Sequence, residues 1–396
     1  MKSKHSPLRK LFSAVKRQEE KNFVSNAAND GSSAPGSKVC TGGVSGSISK
    51  DINDNLNKIN QAFHCSEDLK SRVFEFGGEK KKIKAALVFI DGLTDSKIIN
   101  DAVVEPLLYG TAAAARDWQF NDSDIDAIKD TMVAVGDIGD AKNMEDAVFA
   151  CLMGDCVMFV GGFDNAIIIS AKGYETRSIQ PSDTEVSVRG PKDSFVENLR
   201  TNTGLIRRRI KNTNLCFESL IVGKQSKTPI SVVYMQNIAD KELVSEVKRR
   251  IKKINIDAVL GSGYVEQLIC DEPLSIFSTV GYTERPDVLC AKILEGRVGI
   301  VVDGSPHVLT VPYFFIEAFQ TAEDYYNNFS SSSILRLLRY AAFFLTILAP
   351  AIYVALSTYH QELIPTSLLL TMSAAKEGIP FSAFFEALVM MVVFEI

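Results

Sequence analysis

Between Tyr340 and Leu356 the sequence reads YAAFFLTILAPAIYVAL, 17 residues without a charge. Leu335, Leu337 and Leu338 extend the run toward the ~20 apolar residues that cross a bilayer's hydrocarbon core. Residues up to 330 have a different character, mixing charged and apolar positions as a water-facing protein does. The chain is therefore expected to be a soluble part followed by membrane segments. Arg336 and Arg339 stand just before the apolar run, and the preference of basic residues for the cytoplasmic side orients that end inward. Pro350, in mid-run, must kink or break a helix unless neighbours satisfy the carbonyl it frees. A static kink and a gating hinge both fit that position.

Two shorter apolar stretches follow. LIPTSLLLTMSAA (363–375) is too short to span and reads as an interfacial or re-entrant segment, within a unit at 361–380. FSAFFEALVMMVVFEI (381–396) reads as the start of a second membrane helix, expected to be truncated because the chain stops inside it. Its carboxylates, Glu386 and Glu395, either line an ion path or sit near the two interfaces. The first membrane helix is assigned to 331–360.

The soluble part divides further. Residues 1–50 carry nine Lys/Arg against three Asp/Glu, and 26–49 are rich in Gly and Ser. Such a segment cannot bury enough apolar surface to offset the entropy of ordering it. We expect a disordered basic tail and linker over 1–51, either touching anionic headgroups or simply solvated. From residue 52 strands and helices alternate. AALVFIDGL (85–93) is a buried strand into a turn. NMEDAVFACLMGD (143–155) is an amphipathic helix, and CVMFVGGFDNAIIISAKG (156–173) a hairpin. CFESLIVGKQSKTPISVVYM (216–235) is a second hairpin, DKELVSEVKRRIKKI (240–254) a helix, and a third strand pair flanks the Asp303-Gly304 turn. The reading is a mixed α/β protein in two lobes, 52–150 and 151–330. No repeat of solenoid length is present.

Composition excludes several functions. A net charge of −5 argues against a dedicated nucleic-acid binder. Seven scattered cysteines include no CxxC pair and read as buried thiols in a reducing compartment. The four histidines lack ligand spacing, so neither a metal nor a cofactor is expected. No phosphate-binding loop, nucleophile elbow or zinc-protease motif occurs, so the chain is not read as an enzyme. Asp91-Gly92 and Asp303-Gly304 each end an apolar strand, as turns require.

One stretch stands apart, RGPKDSFVENLRTNTGLIRRRI (189–210). Asp193 or Ser194 is suited to cap a helix with Glu197 in its first turn, and Arg207, Arg208 and Arg209 fall at its C-terminal end, where positive charge suits the helix dipole. A phosphate site at its start, or a nucleic-acid face at its end, is the weaker reading.

This stretch resembles the hallmark of the A subunits of spore germinant receptors, the GerA family. The matching positions are Arg189, Gly190, Pro191, Phe195, Glu197, Asn198, Arg200, Asn202, Arg207 and Arg208. TERPDVLCAKILEGRVGIVVDGSPHVLTVP (283–312) resembles a second family segment through Glu284, Arg285, Pro286, Asp303 and Gly304. EDYY (323–326) and the loop at 360–381 also fit. The resemblance implies a two-lobed cytoplasmic domain followed by several membrane helices in the spore inner membrane. It implies assembly with B and C subunits and with further A subunits, contact with membrane lipid, and a part in the cation release that starts germination. It implies that Arg189–Pro191 makes an inter-lobe or inter-subunit contact that couples the soluble part to the pore. The related stage V sporulation protein of the AF type, linked to dipicolinate release, is the nearest alternative. A membrane-tethered enzyme with an unrecognised site is a second.

Overall fold

The computed structural model describes residues 46–77, 82–110, 125, 128–129, 137–173, 185, 189–271, 275, 277–376 and 381–395. Of the basic tail and linker expected over 1–51, residues 1–45 lie outside them.

Two five-stranded antiparallel sheets organise the soluble part. The first holds β1 (Leu69–Gly77), β2 (Lys82–Ile90), β3 (Ile138–Ala141), β4 (Cys156–Val160) and β5 (Ala166–Ile169), in the order β1-β2-β4-β5-β3. The second holds β6 (Leu215–Val222), β7 (Thr228–Met235), β8 (Gly281–Thr283), β9 (Val298–Val302) and β10 (Val308–Val311), in the order β6-β7-β9-β10-β8. The lobes therefore change after Ile169, not near residue 150. The hairpin 156–169 was assigned to the second lobe by position, yet β4 pairs with β2 in a register that sets Leu87 opposite Met158.

Each sheet is covered on both faces, which is why β2 and β7 read as continuous apolar runs rather than alternating ones. In the first lobe, α1 (Ile52–Ala62) and α3 (Met144–Leu152) pack Ile59, Phe63 and Val148 against Val88 and Phe159. The opposite face takes Ile99, Val103 and Leu107 from α2 (Ser96–Ile99) and the π-helical turns that continue it, Asn100–Val104 and Pro106–Gly110. In the second lobe, α4 (Leu199–Arg209) and α7 (Pro286–Leu294) cover one face through Leu205, Ile206, Leu289 and Ile293. The other face receives Val247 and Ile251 of α5 (Lys241–Lys253) and Val265 of α6 (Ser262–Ile269).

The second lobe repeats the first. Met144–Leu152, Cys156–Val160 and Ala166–Ile169 match Pro286–Leu294, Val298–Val302 and Val308–Val311 in length and in spacing along the chain. Gly154 and Gly296 take the same positive φ, 90° and 94°, and so do Gly162 and Gly304, 94° and 79°. The hydrogen bonds repeat as well. Asn55 accepts from the Ser49 amide at 2.8 Å and donates to the Ser49 carbonyl at 2.6 Å. Asn202 does the same to Val196, at 2.8 and 2.5 Å. Gly162 N–H donates to Lys50 O and Gly304 N–H to Glu197 O, at 3.1 and 2.8 Å. So 46–51, expected to belong to the linker, enters the first lobe: Ile48 is core, and Ser47 bridges Asn143.

Beyond β10 the chain makes two short 3-10 turns, Phe315–Phe319 and Ala322–Tyr325. It then enters α8 (Phe329–Val354), which continues through a π-helical turn to Tyr359. Among the described residues this is the one helix long and apolar enough to cross a membrane, with a mean hydropathy of 1.9 in its best window, none of which is buried in the protein. It runs through Pro350. Two shorter helices follow, α9 (Thr366–Lys376) and α10 (Ala383–Glu395).

Candidate functional site

The stretch 189–210 holds two separate contacts, one at each end of α4. The cap of α4 is Asn198, whose Oδ1 accepts from the Arg200 and Thr201 amides at 2.8 and 3.2 Å. Asp193 or Ser194 was expected to cap the helix; instead Asp193 pairs with Arg209 at 2.6 Å and Ser194 Oγ donates to Glu284 O. The helix thus starts later than its sequence suggested, because Asn198 satisfies two orphan amides at once.

Around this helix start the structure gathers residues that lie far apart in sequence. Phe195 is buried, and its amide donates to Glu284 O at 2.8 Å. Ser194 Oγ donates to the same carbonyl at 3.1 Å. Glu197 is exposed and receives the Gly304 amide through its carbonyl, while the Asp303 carboxylate accepts from Leu199 N–H at 3.1 Å. Pro286 begins α7, where its missing N–H costs nothing. Arg285, 4% exposed, forks onto Asp287 at 2.7 and 3.1 Å and reaches Pro191 O at 3.4 Å.

The helix's other end carries the contact between lobes. Arg207 is fully buried, at 0% exposure. Its Nε and Nη2 donate to the two oxygens of Asp68, just before β1, at 2.8 and 3.0 Å. Its remaining donors reach the carbonyls of Asn212 and Leu215 at 3.0 and 2.9 Å, and its plane lies over Phe217, 4.9 Å from the ring centroid. A buried charge is tolerable only when paired and hydrogen-bonded in this way. Close by, Phe217 N–H donates to Ser66 Oγ at 3.0 Å and Glu67 N–H to Phe217 O at 3.1 Å. On the neighbouring turn of α4 the backbones nearly touch: a Cβ added at Gly204 would lie 2.6 Å from Gly92 O. Gly92 holds φ 88°, so both positions demand glycine. Arg200 pairs with Asp91 at 3.0 Å on the rim. Arg208 lies on the exposed side of the helix.

A third cluster joins the second lobe to α8. Asp324, 7% exposed, receives Arg336 at 3.1 Å and Arg339 at 2.8 Å. Hydrogen bonding from Arg339 outweighs burial and holds the Asp324 carboxyl well below the usual carboxylate range. Two residues on, Tyr326 OH donates to Asp287 Oδ2 at 2.8 Å. Burial raises Asp287, but the hydrogen bonds from Arg285 and Tyr326 win and keep it below the ordinary value. Burial, and then donation to Asp287, push Tyr326 up to about 12. Gly190 (φ 121°) packs flat on the Tyr326 ring, which a Cβ would approach to 2.9 Å. So the Gly190-Pro191 segment faces α7 and the entry to α8, whereas contacts between the lobes run along α4, from Arg200 and Gly204 to the buried Arg207. Arg189 is exposed.

The first lobe serves as an internal control. At the positions matching Arg207, Arg285 and Asp303 it carries Asn60, Asn143 and Gly161. At these three linking positions the second copy departs from the first. Sequence reading singled out Arg207, Arg285 and Asp303, but missed Asp68, Asp324 and the Gly92–Gly204 approach. Asp324 lies within EDYY; for Asp68 no local pattern marks the partner.

The structure does not bring Pro350 or the carboxylate-bearing helix into this cluster. Glu386 lies in the first turn of α10, which contacts α8. Glu395 ends that helix, and its side chain lies outside the described residues. Burial pushes the Cys151 and Cys290 thiols up to about 12 and Cys216 up to about 11, which disfavours the thiolate at neutral pH.

The chain is similar to known proteins. The profile described as Bacillus/Clostridium GerA spore germination protein matches residues 57–396. Spore germination protein KA of Bacillus subtilis is 40% identical over 88% of this chain and 63% of its own length. Spore germination protein GerLA of Bacillus cereus is 36% identical over 88% of this chain and 68% of its own. The chain thus spans about two thirds of these relatives. The crystal structure of the N-terminal domain of the A subunit of the Bacillus megaterium spore germinant receptor GerK3 superposes with a TM-score of 0.54 at 32% identity, over 68% of this chain and 98% of that one. A duplicated two-lobed domain, an apolar helix behind it and these matches lead to one conclusion: the chain belongs to the GerA family of spore germination proteins.

Proposed function

We propose that the chain acts as the A subunit of a nutrient germinant receptor in the spore inner membrane. Its two lobes lie on the core side, α8 spans the bilayer, and B and C subunits and further A subunits complete the receptor. Its part is to transmit a signal that releases monovalent cations, not to catalyse a reaction. The Gly190–Asn198 segment and α4 couple the lobes to α8.

The observation that carries this reading is the unbroken run of contacts from one lobe to the membrane helix. It passes from Asp68 to Arg207, along α4 to Arg209 and Asp193, through Pro191 to Arg285 and Asp287, and by Tyr326 and Asp324 to Arg336 and Arg339. Ion pairs, hydrogen bonds and short stretches of backbone link the joints and resist relative displacement, as a transmitting element requires.

The test is potassium release from dormant spores on addition of nutrients. Spores lacking the gene are expected to lose the response to one nutrient class, and this chain to restore it. Restoration by wild type but not by an Arg207→Met chain of equal abundance supports the coupling role. A deletion that leaves release unchanged for every nutrient defeats it.

A further inference from the structure

At the foot of the second lobe an apolar surface is left uncovered. Phe277 is 65% exposed, Phe314 and Ile316 each 53%, and Phe315 51%. The polar side of this turn is fully engaged: Glu317, beneath it, takes the Phe314 amide at 2.7 Å and pairs with Lys292 and Arg297. What remains outward is aromatic and aliphatic.

These rings meet the membrane helix at a defined height. Phe315 stacks edge-on with Phe277 and Phe319, with centroids 5.4 Å apart in each case. Phe319 packs on Tyr340 and Phe343 at 5.1 and 5.0 Å, and Phe315 on Phe343 at 5.9 Å. Tyr340 and Phe343 belong to the uncharged run, whereas Arg339, one turn earlier, is bound to Asp324 and to Phe319 O. A helix rises about 1.5 Å per residue, so Phe343 lies ~6 Å beyond Arg339 along the axis. That is the depth, about 5–10 Å, at which interfacial aromatic groups settle below the headgroups.

We propose that Phe277, Phe314, Phe315 and Ile316 form a collar that embeds in the headgroup–acyl boundary of the bilayer beside α8, seating the second lobe on the membrane surface. The occupant of this surface is lipid, because the cluster is continuous with a helix whose apolar window is left unburied among the described residues. The proposal rests on the reading of α8 as a membrane span.

The test uses the full chain in phosphatidylcholine–phosphatidylglycerol vesicles, with or without lipids brominated near the top of the acyl chain. The chain's one tryptophan, Trp118, is replaced by Phe, and single tryptophans are introduced by Phe315→Trp, Phe277→Trp, Phe344→Trp and Ile221→Trp. The collar requires ~2-fold or greater loss of emission on bromination for both Phe315→Trp and Phe277→Trp. The span requires quenching of Phe344→Trp, and Ile221→Trp, at a 72% exposed strand position, sets the unquenched level. If Phe344→Trp is quenched while both collar reporters stay at the Ile221→Trp level, the collar is overturned and the span stands. If Phe344→Trp itself stays bright, the span falls and the collar falls with it.

Discussion

Asp68 and Arg207, 139 residues apart and in different lobes, meet in a two-point ion pair from which water is excluded. Arg207 is otherwise held by the carbonyls of Asn212 and Leu215, and Asp68 by the Ser66 hydroxyl, all within their own lobes, so parting the lobes would break the pair and expose both charges.

Removing one partner leaves an uncompensated buried charge. Asp68→Asn or Arg207→Met is therefore expected to cost about 3–5 kcal/mol. The double variant is expected to recover part of that loss, because replacing both partners removes the orphan as well as the pair. Urea denaturation of the four chains in a double-mutant cycle checks this, and additive losses would count against a direct pair.

Gly204→Ala is expected to part the lobes locally. Its Cβ would sit 2.6 Å from a backbone oxygen, which cannot yield as a side-chain tip does. Faster amide exchange in 64–68 and 91–93 with no change in β7 is the expected signature, since the core of each lobe is untouched.

The grip of the second lobe on α8 is acid-sensitive. Asp324 and Asp287 titrate below the ordinary carboxylate value when folded. A depressed folded value stabilises above the unfolded pKa of about 3.9 and loses that contribution as pH falls through the folded value. Amide exchange across 321–328 is therefore expected to stay slow at pH 5–7 and to accelerate below about pH 4. Asp324→Asn is expected to show the fast exchange already at neutral pH.

Asn55→Ala and Asn202→Ala should cost nearly the same, about 1–3 kcal/mol each, since each removes the same two bonds made by a buried asparagine. Unequal melting shifts, beyond what neighbouring packing explains, would show that the two lobes differ more than their backbones do.

Much of this was legible in the chain. The uncharged run, the two hairpins at 156–173 and 216–235, the basic end of α4 and the Asp303-Gly304 turn all rest on local rules of periodicity, capping and tight turns. The lobe boundary was not. A hairpin joins whichever sheet offers it an edge, and nothing within 156–169 says that β2 is that edge. The duplication was also hidden. It survives in a few glycines and two asparagines whose shared task is set by backbone geometry, while the packed positions changed freely among apolar residues. Of the site, the arginines were visible and their partners were not, because an acidic residue before a strand looks like any other until the distant helix arrives.

The two arginines ahead of the apolar run have a mechanical consequence. A cation left to the lipid headgroups drifts with the bilayer, and its helix is free to spin or slide with it. Arg336 and Arg339, three residues and so nearly one helical turn apart, are instead both bolted to Asp324. The helix is thus keyed to its hub like a shaft. With α8 read as a span, a twist of the second lobe is expected to reach it as torque about the helix axis rather than to dissipate as tilt in the surrounding lipid.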